Sequence, residues 1–242
     1  MSFNIANTRG NNDNFFDTQP IKKIEYNLNW IAEIIRNYNI DIACFNEVDF
    51  NSIRTHNIDM AKHIANNVCY NHVITEKMFA FPSVLELGNA VVSRYPLKLN
   101  IYHQYGYGFF DQAINEFKSF VDFDILLGDK KLNIIQTHLH SQKEEIRCAQ
   151  AQILRNYLKN KKNPFVLLGD FNSTTDSRCF QFITNNNLAS NPHLGLPTYP
   201  SKTPNAEIDY ILASPKLRIA NYHTVYTKVS DHLPVIGDII ID

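Results

Sequence analysis

The sequence lacks an excess of charge of either sign. Its 242 residues contain 23 lysines and arginines against 24 aspartates and glutamates, which gives a net charge of −1 and a pI near 6.7. A protein that binds nucleic acid tightly through its phosphates normally carries a strongly basic surface. The balance therefore disfavours a dedicated high-affinity nucleic-acid binder and leaves a local basic patch open.

Long apolar runs are also missing. No stretch approaches the ~20 consecutive apolar residues that a membrane-spanning helix needs. The opening MSFNIANTRGNNDNFF has no basic segment followed by an apolar one, as a secretory signal would. We therefore expect no transmembrane segment and a cytoplasmic protein, with an unconventional, signal-less secretion route left open.

Cysteine is scarce and irregularly spaced. The four cysteines are Cys44, Cys69, Cys148 and Cys179, and they form no CxxC motif. Scattered cysteines in a chain of this length favour buried, reduced thiols, although spacing alone leaves a disulfide open. The absence of a cysteine-rich set also argues against a structural zinc site.

No internal repeat, linker or low-complexity segment divides the chain. With 44% hydrophobic and 19% charged residues, the chain can bury one large core. We therefore predict a single domain over residues 1–242 and expect a monomer. Strand-like runs interspersed with helical and hairpin patterns predict an α/β protein, specifically a four-layer α/β sandwich in which two packed mixed β-sheets are flanked by helices.

Periodicity identifies the main elements. Apolar residues spaced four and three apart predict an amphipathic helix over residues 21–38. The nearly continuous apolar run over 40–48 predicts a strand covered on both faces. Residues 117–139 alternate and break at Gly128-Asp129, which predicts a β-hairpin.

Two further helices are predicted from weaker signals. One covers residues 52–66. The other follows Ser141, which stands three residues before Glu144 in the pattern of a capping box. Additional strands are predicted near residues 70–76 and in the segments NAVVSRY, PFVLLGDFN, AEIDYILAS, LRIANYHTVYT and LPVIGDIII.

Polar residues follow or interrupt the apolar runs at several strand ends. They are Asn4, Glu47, His138, Asp170, Asn172, Asp209, Asp231 and His232. Loops at strand ends are held by a rigid scaffold and commonly carry function. If these strands share one rim, the carboxylates and amides suit a hard divalent cation such as Mg²⁺ or Mn²⁺.

Several of these residues have an ordinary structural interpretation when they are taken alone, whereas Glu47 at the end of an apolar strand favours a functional one. Asp231 beside His232 is compatible with an Asx turn, and Asn4 with a loop cap. The Asp170 segment is compatible with a plain turn after a strand. Asp209 lies within an apolar strand, where an unpaired carboxylate is costly, so a partner is expected and His232 is the natural one.

Seven short motifs occur along the chain in a fixed order. They are SFNIA (2–6), FNEVD (45–49), GNAVVSRYPL (88–97), QTHL (136–139), LLGDFN (167–172), EIDYIL (207–212) and SDHLPV (230–235). Together they resemble the motifs of the endonuclease/exonuclease/phosphatase superfamily, which includes deoxyribonuclease-like nucleases, abasic-site endonucleases, neutral sphingomyelinases and inositol phosphatases. The resemblance extends over nearly the whole chain and implies metal-dependent phosphoester hydrolysis.

The resemblance also implies a metal site and a water-activating group. Glu47 would be the principal metal ligand, with Asn4 and Asp231 completing the site. Asp170 would orient or activate the attacking water, and Asn172 would hydrogen-bond a phosphoryl oxygen.

The remaining implied roles concern the phosphate and the leaving group. His232 would contact the phosphate or act as the base, oriented by Asp209, because a carboxylate on one ring nitrogen fixes the tautomer of the other. His138 would stabilise or protonate the leaving oxygen. Asn89 could reach the phosphate as a further substrate contact, whereas Arg94 is expected to be structural.

Two departures from the family bear on the substrate. Many relatives carry an arginine before the hairpin, and this chain has none near Asp111 and Gln112. A basic residue often precedes the IDYI segment, and here Glu207 stands in that place. Both changes predict less positive charge near the site. His140 is expected to have left its strand and to be solvated.

We therefore expect a divalent-metal-dependent phosphoesterase, with a phosphodiester as the favoured substrate. A nuclease would show a basic groove, whereas a lipid head-group phosphodiesterase of the sphingomyelinase type would show an apolar loop rim. The sequence leaves both open, together with a small-molecule substrate. A non-catalytic binding module on the same fold is the competing class, and it predicts no hydrolysis with Mg²⁺ or Mn²⁺.

Overall fold

The computed structural model describes residues 1–11, 14, 17–82, 84–106, 113 and 116–241. In chain order the strands are β1 (Ser2–Asn4), β2 (Ile42–Asp49), β3 (His72–Phe81), β4 (Leu85–Ser93), β5 (Leu97–Gln104), β6 (Ser119–Leu127), β7 (Lys130–His138), β8 (Phe165–Asp170), β9 (Asp209–Ala213), β10 (Arg218–Thr224) and β11 (Val235–Ile240). The helices among these residues are α1 (Ile21–Asn37), α2 (Met60–Val68), α3 (Glu144–Lys159) and α4 (Arg178–Thr184).

The strands form two mixed sheets. The first sheet has six strands in the order β10-β11-β1-β2-β4-β3, and the second has five in the order β5-β6-β7-β8-β9. Each sheet contains one parallel pair, β1 with β2 and β7 with β8, among antiparallel neighbours. Parallel partners bring their carboxyl ends to the same edge of a sheet. The ends of β1, β2, β7 and β8 therefore deliver side chains to the rims of the two sheets.

Three apolar layers hold the sheets and helices together. Between the sheets lie side chains such as Cys44 and Val91 of the first and Phe123 and Val166 of the second. The outer face of the first sheet packs against α1 and α2. The outer face of the second packs against α3 and α4. This arrangement confirms the predicted four-layer α/β sandwich.

Helix α1 shows why the sequence pattern gives this packing. Its buried residues include Ile24, Leu28, Ile31 and Ile35, which form the stripe predicted from the four-and-three spacing. The helix ends at Asn37, one residue before the predicted boundary. None of the described helices combines the length and the apolar character required to cross a membrane.

Several element predictions were wrong in detail. Helix α3 begins at Glu144 without a side-chain cap, because the hydroxyl of Ser141 bonds Glu116 instead of closing a capping box. The helix expected over 52–66 starts later, at Met60, where the side chain of Asp59 caps it. The hairpin predicted around residues 128 and 129 is present as β6 and β7.

Three of the four cysteines differ from the expectation of buried, reduced thiols. Cys148 of α3 and Cys179 of α4 are joined by a disulfide, so the interpretation of all four as reduced thiols was wrong. Cys44 is a buried free thiol as expected, whereas Cys69 is free but exposed. The disulfide links the two helices that cover the second sheet.

Candidate active site

The predicted site residues gather at one rim of the sandwich. Asn4 and Glu47 come from the first sheet, at the end of β1 and within β2. His138 and Asp170 end the parallel strands β7 and β8 and lie opposite each other in register. Asp209 starts the antiparallel strand β9 directly opposite Asp170. The loop before β11 adds Asp231 and His232.

Unusual backbone conformations place several of these side chains. Glu47 has a φ of +54° at a register shift in the pairing of β2 with β4, and Asn172 has a φ of +47°. Ala6, Asn7 and Thr8 are three consecutive left-handed residues just after Asn4. A positive φ is unfavourable for residues other than glycine, and such backbone strain concentrates at functional sites.

Asn4 lies at the centre of the rim and joins the two sheets. Its Nδ2 donates to Glu47 Oε1 at 3.2 Å and to Asp170 Oδ2 at 2.9 Å. Its Oδ1 accepts from the backbone N–H of Ala6 at 3.0 Å. The amide thus offers its nitrogen to the carboxylates, which suits an orienting donor, and ligation of a metal would require the oxygen that Ala6 engages.

Arg9 is a site residue that the sequence interpretation missed. Its guanidinium lies between two carboxylates, with Nη1 3.3 Å from Glu47 Oε2 and Nη2 3.2 Å from Asp231 Oδ2. The left-handed turn over residues 6–8 brings it there. No motif marks Arg9, because it stands in the Asn-rich loop beyond SFNIA and reaches the site only through this turn.

Lys118 is the second missed residue. It follows two left-handed residues, Glu116 and Phe117, and its buried Nζ lies 2.7 Å from His138 Nε2 and 3.3 Å from Nδ1. Lys118 and Arg9 supply positive charge at the rim that the sequence interpretation did not anticipate.

The two departures from the family have different outcomes. Asp111 and Gln112 lie outside the described residues. Glu207 is buried and accepts a hydrogen bond from the backbone of Gly195 at 2.8 Å. Its carboxylate therefore stabilises the loop before β9 by accepting this hydrogen bond.

Positive groups hold Glu47 ionised. Burial acts to raise the pKa of the Glu47 carboxyl. The charge of Lys118 acts most strongly in the opposite direction, followed by His138 and Arg9, and together they bring that pKa to about 2. An ionised, partly exposed carboxylate at the rim is suited to binding a cation.

Asp170 is enclosed by donors. Its Oδ2 lies 3.4 Å from His138 Nε2 and 3.8 Å from His232 Nε2, and its Oδ1 accepts from the N–H of Asn172 at 2.8 Å. Burial acts to raise the pKa of Asp170, but the charge of His232 and the contact with His138 hold it well below its usual range.

The predicted pairing of Asp209 with His232 is present. Asp209 Oδ2 lies 2.8 Å from His232 Nδ1 and also accepts from the hydroxyl of Thr198 at 2.6 Å. Burial acts to lower the pKa of His232, but the charges of Asp209 and Asp170 raise it to about 10. The carboxylate fixes the imidazole so that Nε2 faces Asp170.

Three other predicted residues have different surroundings. Asn172 lies at the rim, where its Nδ2 donates to the carbonyl of Leu139. Asn89 lies deeper, fully buried between the sheets, and its Oδ1 accepts from Asn46 at 2.7 Å. Arg94 is exposed and bonds Tyr70, which agrees with the structural role expected for it.

The expectation that His140 is solvated was wrong. His140 has left β7, as predicted, but its side chain is buried and its Nδ1 accepts from the backbone N–H groups of Gln142 and Lys143. Its backbone is held by Gln150 and Arg147 of α3. These contacts order the loop that follows His138.

The carboxylates provide two candidate metal-binding sets. Asp170, Asp209 and His232 bring one donor atom each within 4.8 Å of one another, but all three are buried and His232 Nδ1 is engaged by Asp209. Glu47 and Asp231 face a common cation, the Arg9 guanidinium, and their side chains are 18% and 20% exposed. Oxygen donors that already flank a positive charge and reach the surface fit a hard divalent cation.

Comparison with solved structures shows the same fold in other proteins. The chain is similar to an endonuclease/exonuclease/phosphatase from Bacteroides vulgatus, with 16% identity, a TM-score of 0.75, and coverage of 100% of this chain and 97% of that one. It is similar to a mannosyl-6-phosphatase from Bacteroides thetaiotaomicron, with 13% identity, a TM-score of 0.72, and coverage of 99% and 98%. A beta toxin variant from Staphylococcus aureus with bound magnesium ions has 20% identity, a TM-score of 0.62, and coverage of 88% and 91%.

Sequence comparison identifies the family. No curated protein sequence matches the chain significantly. The model of the Endonuclease/Exonuclease/phosphatase family, whose members are generally hydrolases acting on phosphoester bonds, matches residues 24–232. Because this match covers most of the chain and the four-layer fold agrees with it, the chain belongs to the endonuclease/exonuclease/phosphatase family.

Proposed function

We propose that this protein is a divalent-metal-dependent hydrolase of phosphoesters, with a phosphodiester as the favoured substrate class. The contacts of Asp170 carry the proposal. Asn4, His138 and His232 come from three separate segments, and a nitrogen of each lies within 3.8 Å of Asp170 Oδ2. A carboxylate held by an amide and two imidazoles stays ionised and is suited to orienting a water molecule, whose proton it takes as the bond to phosphorus forms and the water becomes acidic.

The metal would be held mainly by Glu47, with Asp231 completing the carboxylate pair. When bound, Mg²⁺ or Mn²⁺ would neutralise charge on the phosphoryl oxygens. Asn4 holds both Glu47 and Asp170 in place through its Nδ2. The magnesium bound to the beta toxin variant supports the choice of metal.

Different residues carry out the two proton transfers of the proposed reaction. Water attacks phosphorus and gives its proton to Asp170, while the bond from phosphorus to the leaving oxygen breaks. His138 returns a proton to the leaving oxygen, and the nearby Lys118 stabilises negative charge that develops there. His232, fixed by Asp209, directs its Nε2 towards a phosphoryl oxygen, and Asn172 binds another.

A panel of substrates would test this function. It comprises plasmid DNA, an abasic-site duplex, RNA, sphingomyelin, inositol phosphates, mannose 6-phosphate and a bis-aryl phosphodiester, each with Mg²⁺, Mn²⁺ or EDTA. Glu47→Gln and His232→Ala would be measured beside two controls, Glu25→Gln and His223→Ala, which replace the same residue types away from the rim. The mannose ester is included because one structural neighbour is a mannosyl-6-phosphatase.

The expected result is EDTA-sensitive turnover that both site variants lose and both controls keep. The substrate that is turned over fastest then defines the class. Turnover that survives EDTA or Glu47→Gln would refute the metal-dependent mechanism. Absence of turnover on every substrate would favour the non-catalytic binding module.

A further inference from the structure

Glu76 is a buried carboxyl that the proposed reaction does not use. It lies on β3, and its side chain enters the space between the sheets, where only 5% of the residue is exposed. Its Oε2 accepts from Asn89 Nδ2 at 3.1 Å. The hydroxyls of Ser119 on β6 and Tyr102 on β5 also face it.

The surroundings of Glu76 favour its neutral form. The titratable groups that face it are the phenols of Tyr102 and Tyr105, which are themselves neutral. Lys77, the next residue on β3, pairs with Glu86 of β4. Burial raises the pKa of the Glu76 carboxyl to about 7, although hydrogen bonds from the neighbouring side chains oppose the shift.

A line of hydrogen bonds connects this carboxyl to the rim. Asn89 gives its Nδ2 to Glu76, so its Oδ1 faces Asn46 and accepts from Nδ2 of that residue at 2.7 Å. Asn46 in turn accepts, through its Oδ1, from the backbone N–H of Asp170 at 3.2 Å. The line crosses from the first sheet to the second.

Each amide in this line has two ends, and the partners at both ends decide which way it faces. If the Asn89 amide turned over, its nitrogen would face the Asn46 Nδ2, leaving two donors in contact in a buried space, and Nδ2 would lose the acceptor that Glu76 provides. Asn46 has partial independent support, because its Nδ2 also lies 3.3 Å from the carbonyl oxygen of Thr137.

We propose that Glu76 is a positioning residue for the reaction: by accepting from Asn89, it fixes the orientation of two side-chain amides in series, and these hold the backbone of Asp170. Glu76 touches neither the metal ligands nor the substrate. It acts on hydrolysis only through Asn89 and Asn46. The catalytic consequence rests on the proposed function, whereas the structural connection to Asp170 does not.

Two substitutions separate positioning from bulk packing. Glu76→Gln retains an oxygen that accepts from Asn89, and it remains neutral at every pH. Glu76→Leu fills a similar space but removes the acceptor. On the substrate found by the panel, we expect kcat of Glu76→Gln within about twofold of wild type, and kcat of Glu76→Leu about tenfold lower with an unchanged KM, as for one lost buried hydrogen bond.

Backbone amide NMR tests the connection without any activity. In the wild-type protein, the Asp170 amide resonance should shift with pH near neutrality as Glu76 titrates, and Glu76→Gln should remove that component. Glu86→Gln, in which the changed carboxylate pairs with Lys77, is the matched control and should keep it. Circular dichroism establishes that each variant is folded.

The outcomes distinguish the two proposals. If the panel finds no substrate but the Asp170 shift disappears in Glu76→Gln, the proposed function fails and the connection stands. If the Asp170 shift persists in Glu76→Gln, the positioning proposal is refuted. It is refuted equally if Glu76→Gln loses as much kcat as Glu76→Leu, because the retained acceptor would then have no effect.

Discussion

Gly169 and Thr137 approach so closely across β7 and β8 that a side chain on Gly169 would lie 1.9 Å from the Thr137 carbonyl oxygen. The glycine has a φ of +139°, which other residues rarely adopt. This contact occurs one residue before Asp170. The absence of a side chain at Gly169 therefore lets the two parallel strands place His138 and Asp170 side by side.

Gly169→Ala should consequently destabilise the protein by more than about 2 kcal/mol, because the added carbon would clash with the backbone of Thr137, which has no room to move. The same clash should displace His138 and Asp170 from each other at the rim. Urea unfolding would measure the loss. Gly128→Ala is the control, since Gly128 also has a positive φ of +64° but nothing lies within 4 Å of its added carbon. Equal losses in the two variants would contradict the clash.

Arg9→Ala should increase the stabilisation that Mg²⁺ confers. In the wild-type protein, the guanidinium already compensates Glu47 and Asp231, and a metal must compete with it. Without Arg9, the two carboxylates repel each other until a cation binds. Thermal unfolding with and without Mg²⁺ checks this, with Arg36→Ala, which removes an exposed partner of Glu33, as control. A smaller Mg²⁺-induced shift in Arg9→Ala would contradict competition between arginine and metal.

The buried ion pair of Asp49 with Arg54 should be costly to break. Arg54 Nε and Nη2 lie 2.8 and 2.6 Å from the two oxygens of Asp49, and both residues are buried. Arg54→Met leaves an uncompensated buried carboxylate, so we expect a loss of about 3 to 5 kcal/mol in the free energy of unfolding. Arg94→Met breaks the exposed pair with Asp41 and should cost less than about 1 kcal/mol.

Reduction of the Cys148–Cys179 disulfide should lower stability. The bond closes a loop with a sequence separation of 31 residues, for which chain entropy predicts about 3 to 4 kcal/mol. Thermal unfolding with and without reductant measures the effect, and the double serine variant should not respond to reductant. Alkylation followed by mass spectrometry would reveal whether the bond forms in the cell. Its presence there would favour an oxidising compartment over the expected cytoplasm.

The contribution of Glu76 to stability should fall as pH rises from about 4.5 to about 7. Its folded-state pKa of about 7 lies above the ordinary value of 4.5, so the folded protein binds the proton more tightly than the unfolded chain. The stabilisation of the protonated form is lost between pH 4.5 and 7 and amounts to about 3 kcal/mol at most. When the free energy of unfolding is measured from pH 5 to 8, the value for Glu76→Gln should therefore rise relative to the value for the wild-type protein. A difference that does not change with pH would contradict the shifted pKa.

Motif order and periodicity predicted the elements with strong patterns. Helix α1 and the β6–β7 hairpin have clear repeats of apolar residues, and both are present as expected. Strand β5 was missed because most of its residues are exposed and give no buried face. Helix α4 was missed because its seven residues are too few for a helical period to become evident.

The site was predicted as a set of residue types at strand ends, and the structure brings most of that set together at one rim. The roles of those residues stay predictions. Arg9 and Lys118 were missed because each reaches the rim through left-handed backbone, which leaves no periodic signal. The partner of Cys148 was missed because Cys179 lies 31 residues away and only tertiary packing brings the two together.

The rim is divided between the two sheets, and this has a consequence for how the protein would be inactivated. Asn4 meets Asp170, and His232 meets Asp209, across the boundary between the layers. A slight parting of the layers would separate these partners while every strand kept its own hydrogen bonds. The proposed hydrolysis should therefore be lost at denaturant concentrations that leave the far-ultraviolet spectrum unchanged, so that its rate would report on the spacing between the layers.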